Sequence, residues 1–581
     1  MAVLDKINSP KDVKTLSVEE MNTLAGEMRE LIINKVNTIS GHMGPNLGFV
    51  EPTIALHYVF NSPEDKFVFD VSHQCYTHKM LTGRREYYQN PEKYLEISGY
   101  TNPNESEHDM FIVGHTSTSV SLATGLAKGR DVRDGKENII AIIGDGSLSG
   151  GEAFEGLDNA AVLGSNIIIV VNDNEMSIAI NQGGLYDNLK LLRETKGQAE
   201  CNFFKSLGFD YRYVENGNDI EELIKAFKAV KDIDHPVVVH LHTLKGKGLK
   251  AAETYKEFYH WINAGCTDPN AKSTVETYAS LTREYFLKKL EEDKTLVVIN
   301  PATPGAVDLG QDFRDKMGKN FIDVGIAEEH AMAYISGIAK NGGKPVLTIL
   351  SSFIQRTYDQ ISQDLALNNS PATILVNWGG IYGADATHLG LFDIPLISNI
   401  PNVVYLAPTC KEEYLKMLDW SIEQKEHTVF IRVPFAPLIS TGKEDNTDYS
   451  KLNKYQLTEK GEKVAILGLG SYYAKAKEIK AKLQKIGIVP TLINPKYITG
   501  LDKGLLEELK LSHKLVITLE EGCLAGGFGE KIASFYGNSN IKVLNYGADK
   551  EFPDRVPLQT QLEKYRLTTE QIVKDIQEIL K

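Results

Sequence analysis

Two polar clusters, each at the end of an apolar run, carry residues that could bind a metal ion and a diphosphate. Gly144-Asp145-Gly146 follows the run 139–143, and Asn172-Asp173-Asn174-Glu175-Met176 follows the run 167–171. This spacing suits one strand–helix–strand unit, which brings the ends of two parallel strands to one sheet edge. Asp145 offers a carboxylate and Asn174 an amide oxygen, which are ligands that Mg²⁺ shares with phosphate groups. A lone Gly-Asp-Gly turn would indicate only a capped turn, but the two clusters together predict a metal–diphosphate site.

The two clusters resemble the thiamine diphosphate motif, which begins with Gly-Asp-Gly and closes with Asn after one strand–helix–strand unit. By that resemblance Asp145 and Asn174 are Mg²⁺ ligands, and the backbone carbonyl of Met176 is a third. The glycines let the backbone and a helix N-terminus approach the diphosphate closely.

A third cluster places one acidic residue, Glu328, where a strand leads into a helix, within the run 323–330. A Glu at a helix start is often only a partner of the helix dipole. Thiamine enzymes, however, need a carboxylate at the aminopyrimidine end, where it helps the cofactor to lose its C2 proton. We therefore predict that Glu328 is this carboxylate.

Apolar runs that alternate with helical patterns must position these residues. Such alternation predicts an α/β protein with parallel sheets that are covered on both faces. Ser17 and Glu20 form a capping-box pattern before the first helix. Polar stretches near 270 and 445 separate three such series, so we predict domains at 1–270, 271–445 and 446–581. Ten apolar runs are predicted strands: Phe67–Val71, Ile139–Ile143, Ile167–Val171, Val237–Val239, Leu296–Ile299, Val346–Leu350, Thr373–Val376, Val403–Leu406, Val464–Leu467 and Leu515–Thr518.

The composition describes an ordinary globular chain of 581 residues with a formal net charge of −14. An acidic surface argues against nucleic acid or an anionic membrane as the main partner. The sequence shows neither a signal-peptide pattern nor an apolar run of about 18 residues, so a cytoplasmic location is expected. The five cysteines are scattered and form no CxxC pair, which disfavours a disulfide framework or a zinc site.

Motifs along the whole chain resemble the 1-deoxy-D-xylulose-5-phosphate synthase family, whose members consist of three doubly wound α/β domains of the thiamine diphosphate-dependent, transketolase-like type. The segments that carry this resemblance are Ile7-Asn8-Ser9-Pro10, Ser40-Gly41-His42, Asp70-Val71-Ser72-His73-Gln74, His78-Lys79, Thr82-Gly83-Arg84, Gly114-His115-Thr116-Ser117-Thr118-Ser119, Ala327-Glu328-Glu329-His330 and Phe353-Ile354-Gln355-Arg356-Thr357-Tyr358-Asp359-Gln360.

The resemblance implies a homodimer that joins pyruvate to D-glyceraldehyde 3-phosphate with loss of CO₂, using thiamine diphosphate and Mg²⁺, in isoprenoid and thiamine biosynthesis. It also implies two sets of site residues. The catalytic set is Glu328, His42, His260, His388, Asp385 and Arg356. The cofactor-binding set is His73, Gly114, His115, Thr116, Asp145, Gly146, Ser147, Asn174, Glu328 and Phe353.

The sequence departs from the family where the acceptor aldehyde would bind. Trp378 and Phe435 stand where the family carries two arginines that hold the acceptor's phosphate, while the nearby Arg432 is kept. An alternative is therefore a related thiamine diphosphate-dependent carboligase or transketolase with a different aldehyde acceptor, a class that includes unphosphorylated aldehydes. Two further alternatives are another thiamine enzyme, such as a transketolase or a 2-oxoacid dehydrogenase E1 component, and a cofactor-binding protein without activity. The intact Asp145, Asn174 and Glu328 argue against the last of these.

Overall fold

A computed structural model describes residues 2–269 and 275–581. The described chain forms two compact units. The first contains the residues up to 269 together with Gly325–Ala327, and the second contains the rest. The predicted boundary at 270–271 lies outside the described residues. Each described helix is too short or too polar to span a lipid bilayer.

The first unit is built on a five-stranded parallel sheet with the strand order β1-β2-β3-β5-β4. Its strands are β1 Lys66–Phe69, β2 Ile139–Gly144, β3 Ile167–Asp173, β4 Asp210–Val214 and β5 Pro236–His242. Its longer helices are Val18–Ile39, Val50–Val59, Ser119–Asp131, Gly151–Ala161, Gly184–Glu194 and Ile220–Val230.

Both faces of this sheet are buried, because successive side chains of a strand point to opposite faces. Ile140 and Ile142 of β2 belong to one apolar cluster, whereas Ile139, Ala141 and Ile143 belong to another. This explains why the strands appear in the sequence as continuous apolar runs instead of alternating ones.

The second unit contains two sheets. The first has the order β10-β11-β9-β8-β6-β7 and is parallel throughout. Its strands are β6 Leu296–Asn300, β7 Phe321–Asp323, β8 Lys344–Leu350, β9 Thr373–Gly379, β10 Val403–Leu406 and β11 Thr428–Pro434. The other sheet has the order β12-β14-β13-β15-β16, with only β12 antiparallel. Its strands are β12 Gln456–Glu459, β13 Lys463–Gly468, β14 Thr491–Asn494, β15 His513–Cys523 and β16 Lys542–Ala548.

The longer helices of the second unit alternate with these strands, as the sequence pattern predicts. They are Tyr278–Glu292, Glu328–Lys340, Lys411–Glu423, Tyr472–Lys485, Phe528–Tyr536 and Thr569–Leu580. The predicted boundary at 445–446 falls between β11 and β12, in the segment 435–455, which contains no helix or strand.

Two local predictions have different outcomes. The capping box is confirmed, because Ser17 caps the helix Val18–Ile39 and Glu20 bonds back to the Ser17 backbone. The predicted strand Phe67–Val71 is too long, because β1 ends at Phe69. Val71 and Ser72 adopt left-handed backbone conformations there, with φ of 56° and 63°.

Candidate active site

The carboxyl ends of β2 and β3 bring the first two polar clusters together. The two strands are adjacent and parallel, with Gly144 opposite Asn172. Asp145 and Asn174, which follow these two positions, are both buried. Ligands of open α/β sheets bind at this edge, so the strand pairing gives Asp145 and Asn174 a common site.

The segment after β3 contacts both the carboxylate of Asp145 and the backbone beside it. Asn181 donates its Nδ2 to Asp145 Oδ2 at 2.7 Å, and the Tyr186 hydroxyl donates to the carbonyls of Asp145 and Gly146 at 3.1 and 3.2 Å. Burial and the neighbouring Asp173 carboxylate raise the pKa of Asp145 to about 8. A cation at this position would favour the ionised carboxylate.

Two amide oxygens of the segment after β3 are of the kind that binds a hard cation. Asn174 Oδ1 and Asn181 Oδ1 are buried, and neither finds a hydrogen-bond donor within the described residues. A buried polar atom in that state calls for an ion or a water, and Mg²⁺ takes oxygen ligands of this kind. The residues therefore fit the expected metal. Sequence reasoning missed Asn181, which an antiparallel bridge between Met176 and Ile180 places near Asp145.

Glycine is required at Gly146 because the chain after β3 passes directly over it. A Cβ atom on Gly146 would lie 2.4 Å from the Cβ of Ser177. Gly150 is equally restricted, since its Cβ would lie 2.2 Å from Ser117 Oγ. Ser117 Oγ also donates to the carbonyl of Ser147 at 2.8 Å, so the predicted cofactor-binding segments 145–147 and 114–116 lie close together.

Asp70 holds the turn that contains Gly114, His115 and Thr116. Its two carboxylate oxygens accept the backbone N–H groups of Ser117 at 2.8 Å and Ser119 at 3.0 Å. Ser119 begins a helix, so Asp70 satisfies donors at that helix N-terminus. Burial raises the pKa of Asp70, while these hydrogen bonds lower it. Gly114, His115 and Thr116 were predicted to bind the cofactor, but the role of Asp70 in anchoring their turn was not predicted.

Three of the predicted histidines form one cluster. The ring centroid of His42 lies 4.9 Å from that of His73 and 5.6 Å from that of His260, and the rings of His73 and His260 are 5.4 Å apart. Asn46 fixes the backbone beneath two of them, because its Nδ2 donates to the carbonyls of His42 at 2.8 Å and His73 at 2.7 Å.

Burial disfavours the charged form of one member of the cluster, His260. Burial, together with the positive charge of Lys245, keeps the pKa of His260 well below its usual value. Lys245 Nζ lies 3.2 Å from His260 Nδ1, and burial lowers the pKa of Lys245 to about 7. Neither Lys245 nor Asn46 was identified from the sequence.

In the second unit, Glu328 is the first residue of the helix Glu328–Lys340 and is only 3% exposed. Burial raises the pKa of Glu328, although the positive charge of Arg356 opposes this rise. Arg356 Nη1 lies 3.4 Å from Glu328 Oε2. A buried carboxyl group with a raised pKa can share a proton with a ring nitrogen.

The remaining predicted residues of this unit lie on two segments. The rings of Phe353 and His388 are 5.7 Å apart, and His388 Nδ1 lies 2.9 Å from Thr387 Oγ1. Asp385 Oδ1 lies 3.8 Å from Nε of Arg555, a residue that the sequence did not indicate. The structure thus forms the pairs Glu328–Arg356 and Phe353–His388.

Comparisons with known proteins agree with this architecture. The family model for the transketolase pyrimidine-binding domain matches residues 276–436, and that for the transketolase C-terminal domain matches 453–572. The sheets, the Asp145–Asn174 edge and these matches define a thiamine diphosphate-dependent enzyme of the transketolase-like class. The model described as 1-deoxy-D-xylulose-5-phosphate synthase matches residues 4–201 and 193–243.

The chain belongs to the 1-deoxy-D-xylulose-5-phosphate synthase family. It is 38% identical to the synthase of Halothermothrix orenii, over 95% of this chain and 93% of that protein. It is 37% identical to the synthase of Dictyoglomus thermophilum, over 100% and 99% of the two chains. A solved transketolase from Leishmania mexicana is 14% identical over 97% of each chain, with a TM-score of 0.44. The resemblance and the fold class predicted from the motifs are confirmed.

Proposed function

We propose that this enzyme joins pyruvate to D-glyceraldehyde 3-phosphate and releases 1-deoxy-D-xylulose 5-phosphate and CO₂. The similarity to synthases of that name along essentially the whole chain carries this proposal. The bond between the carboxylate and the keto carbon of pyruvate breaks, and CO₂ leaves. The electron pair left on the keto carbon forms the new bond to the aldehyde carbon, and the aldehyde oxygen takes up a proton.

Asp145, Asn174 and the carbonyl of Met176 would hold Mg²⁺, and the metal would neutralise the diphosphate of the cofactor. Support comes from the buried carboxylate and the two amide oxygens that lack donors within the described residues. Asn181 would orient Asp145 through their 2.7 Å hydrogen bond. When bound, thiamine diphosphate supplies the group that accepts the electron pair released by decarboxylation.

Glu328 would hold a proton at the aminopyrimidine ring. Its burial favours the protonated carboxyl group, which can donate a hydrogen bond to a ring nitrogen. Arg356, at 3.4 Å, restrains that rise in pKa, so the proton remains exchangeable. This balance suits a group that gives and takes back one proton in each cycle.

The histidine cluster would bind the reacting oxygens. Because burial and Lys245 disfavour the charged form of His260, its imidazole can act as a hydrogen-bonding group without adding a buried charge. Lys245, with a pKa lowered to about 7, would hydrogen-bond to the neutral imidazole of His260 at their 3.2 Å contact. His42 and His73 would complete the site. By the family resemblance, Phe353, Asp385 and His388 would complete the side that faces the substrate.

The same proposal includes the assembly, the location and the partners of the protein. We expect a homodimer in the cytoplasm, by the family resemblance. We expect small molecules, pyruvate and an aldehyde, to be the substrates. The formal net charge of −14 disfavours a nucleic acid partner.

The test is turnover of the purified full chain with Mg²⁺ and thiamine diphosphate. CO₂ and the sugar phosphate would be measured with pyruvate alone and with added D-glyceraldehyde 3-phosphate, and cofactor binding would be measured separately by calorimetry. Glu328→Gln should lower the rate of CO₂ release by about 10²- to 10⁴-fold, the range for a lost acid–base group. Glu329→Gln, its neighbour in the same helical turn, is the matched control. Cofactor binding without CO₂ release from any pyruvate mixture would refute the proposal.

A further inference from the structure

An exposed aromatic patch lies at the carboxyl ends of β9 and β11, which are adjacent parallel strands with Gly379 opposite Pro434. The patch consists of Trp378, Tyr382 and Phe435. The ring of Phe435 lies 5.8 Å from that of Trp378 and 4.8 Å from that of Tyr382. Trp378 is 37% exposed and Phe435 is 51% exposed. Large aromatic side chains that stay exposed together at this sheet edge point to a binding surface.

The backbone holds Trp378 in place despite strain. Its φ is +59°, a left-handed conformation that is unusual for a bulky residue. The Tyr382 hydroxyl donates to the Trp378 carbonyl at 3.1 Å. A Cβ on Gly390 would lie 2.2 Å from that carbonyl, so the loop is fitted closely to this backbone. Strain maintained by surrounding contacts is characteristic of functional positions.

The arginine beside the patch is not available to an anionic ligand. Arg432 is buried, and its Nε and Nη2 donate to the Asp393 carboxylate at 2.6 and 3.1 Å. The same Nη2 donates to the carbonyls of Gly390 at 3.0 Å and Glu521 at 2.9 Å. Arg432 therefore serves the internal structure of this unit, and its charge is balanced by Asp393.

The space behind the patch does not suit a phosphate either. A cavity of about 10 Å³ is lined by Gly379, Arg432, Ser471 and Glu521, among others. This volume holds at most about one water molecule. Glu521 places a carboxylate there, and Ser471 donates a hydrogen bond to it. On the adjoining loop, Arg555 contacts the carboxylates of Asp554 at 3.1 Å and Asp385 at 3.8 Å, which offset its charge.

We propose that Trp378 and Phe435 form the wall against which the acceptor binds, and that the phosphate of D-glyceraldehyde 3-phosphate therefore gives it little advantage over the unphosphorylated aldehyde. The proposal rests on the proposed function, whose bond changes stay the same because the phosphate takes no part in them. An uncharged aldehyde gains apolar contact with the two rings, whereas a phosphate gains no cation from them.

The experiment compares kcat/KM for D-glyceraldehyde 3-phosphate with kcat/KM for D-glyceraldehyde, with pyruvate as donor. Two arginines that each make one charge-assisted bond would favour the phosphorylated substrate by about a hundredfold or more. We expect a ratio below about a hundred in the natural chain. A larger ratio overturns the acceptor proposal and leaves the proposed function standing. No CO₂ release with either aldehyde overturns the proposed function.

Substitutions test whether the aromatic patch sets the ratio of kcat/KM for the phosphorylated aldehyde to that for the unphosphorylated one. Phe435→Arg should raise the preference for the phosphorylated aldehyde by about tenfold, because it adds one charge-assisted contact. Phe435→Leu keeps an apolar side chain and should leave the ratio within about twofold, which provides a variant whose folding is not at risk. Leu511→Arg, at another exposed apolar position, is the matched control for added charge. An equal rise in Leu511→Arg and Phe435→Arg would overturn the assignment to the patch.

Discussion

Asn46 donates its side-chain Nδ2 to the main-chain carbonyl of His73 at 2.7 Å. The same nitrogen donates to the carbonyl of His42, and Asn46 Oδ1 accepts the backbone N–H of Tyr76 at 3.0 Å. One buried amide therefore joins two separate segments of the chain that each carry a histidine of the cluster. Because these partners of Asn46 are backbone groups, we expect it to act as a positioning residue.

Replacing Asn46 by Asp should disturb this cluster, because the new carboxylate has no N–H to donate and faces two carbonyl oxygens. We expect kcat to fall about 10- to 100-fold with a smaller change in KM, as for a misplaced catalytic group. Steady-state kinetics and the thermal midpoint would be measured together. Asn22→Asp, at an exposed helical position, is the control. Unchanged kcat in folded Asn46→Asp would show that the amide does not position the histidines.

Removing an amide oxygen beside Asp145 should weaken metal binding. For Asn174→Ala we expect the Mg²⁺ concentration for half-maximal thermal stabilisation, at saturating thiamine diphosphate, to rise by a factor of 10 or more. Asn181→Ala should raise it by about 10- to 100-fold, the range for a residue that orients a metal ligand. The readout is the thermal midpoint against Mg²⁺ concentration, which does not depend on turnover.

Asn159→Ala removes an exposed amide that bonds only to the carbonyl of Glu155 among the contacts described for it, so it controls for the loss of an amide. Its Mg²⁺ dependence should match that of the natural chain. The same Mg²⁺ dependence in Asn174→Ala would remove this residue from the metal site.

Changing Asp70 to Asn should loosen the turn that carries Gly114, His115 and Thr116. One of the two N–H groups that Asp70 accepts would then face an NH₂ group, leaving a buried donor unsatisfied at a cost of about 1–3 kcal/mol. We expect weaker thiamine diphosphate binding by about tenfold, measured by calorimetry with Mg²⁺ held constant. Binding of natural strength, together with a lowered thermal midpoint, would limit Asp70 to a purely structural role.

The stability of the second unit should fall as the pH rises through neutrality, because of Glu520. This residue is fully buried at the N-terminus of the helix Phe528–Tyr536 and accepts the N–H groups of Phe528 at 2.8 Å and Gly529 at 2.7 Å. Burial nevertheless raises its pKa from 4.5 to about 7. The folded chain therefore binds this proton more tightly than the unfolded chain does. The resulting stabilisation is complete below pH 4.5 and is lost as the pH rises past 7.

Glu520→Gln removes that titration, so the natural chain should lose about 3 kcal/mol relative to the variant between pH 4.5 and pH 8. Thermal midpoints of both proteins across this range would measure the difference. Glu530→Gln, an exposed substitution nearby, should run parallel to the natural chain. Parallel curves for Glu520→Gln would mean that the helix N–H groups keep Glu520 ionised.

Features that depend on neighbouring residues in the sequence could be predicted. The apolar runs before Asp145 and Asn172 indicate β2 and β3, and parallel pairing then brings their ends together. The capping box at Ser17 is equally local. The family motifs identify the three histidines that the structure clusters, although their mutual distances follow only from the fold.

Features that depend on distant contacts could not be predicted. Asp70 bonds to Ser117, 47 positions away, and Lys245 bonds to the Ser177 carbonyl, 68 positions away. Nothing near these residues in the sequence indicates such partners. The strand β4, Asp210–Val214, was missed because it lies at a sheet edge and carries charged residues among its apolar ones. The strand β11 was missed because Arg432 interrupts its apolar run, and the Asp393 carboxylate that pairs with Arg432 lies 39 positions away in the sequence.

Arg432 holds the fold together, whereas the neighbouring rings of Trp378 and Phe435 form an exposed surface. This difference has an evolutionary consequence. Arg432 ties together Asp393, Gly390 and Glu521, so a change there would threaten folding. The rings of Trp378 and Phe435 remain partly exposed, so we expect substitutions there to disturb folding less than a change at Arg432. A lineage could therefore acquire a new acceptor by exchanging residues on this surface, while the scaffold that decarboxylates pyruvate is inherited intact. Protein engineers could likewise change the acceptor by substituting Trp378 and Phe435 while leaving Arg432 and the rest of the scaffold unchanged.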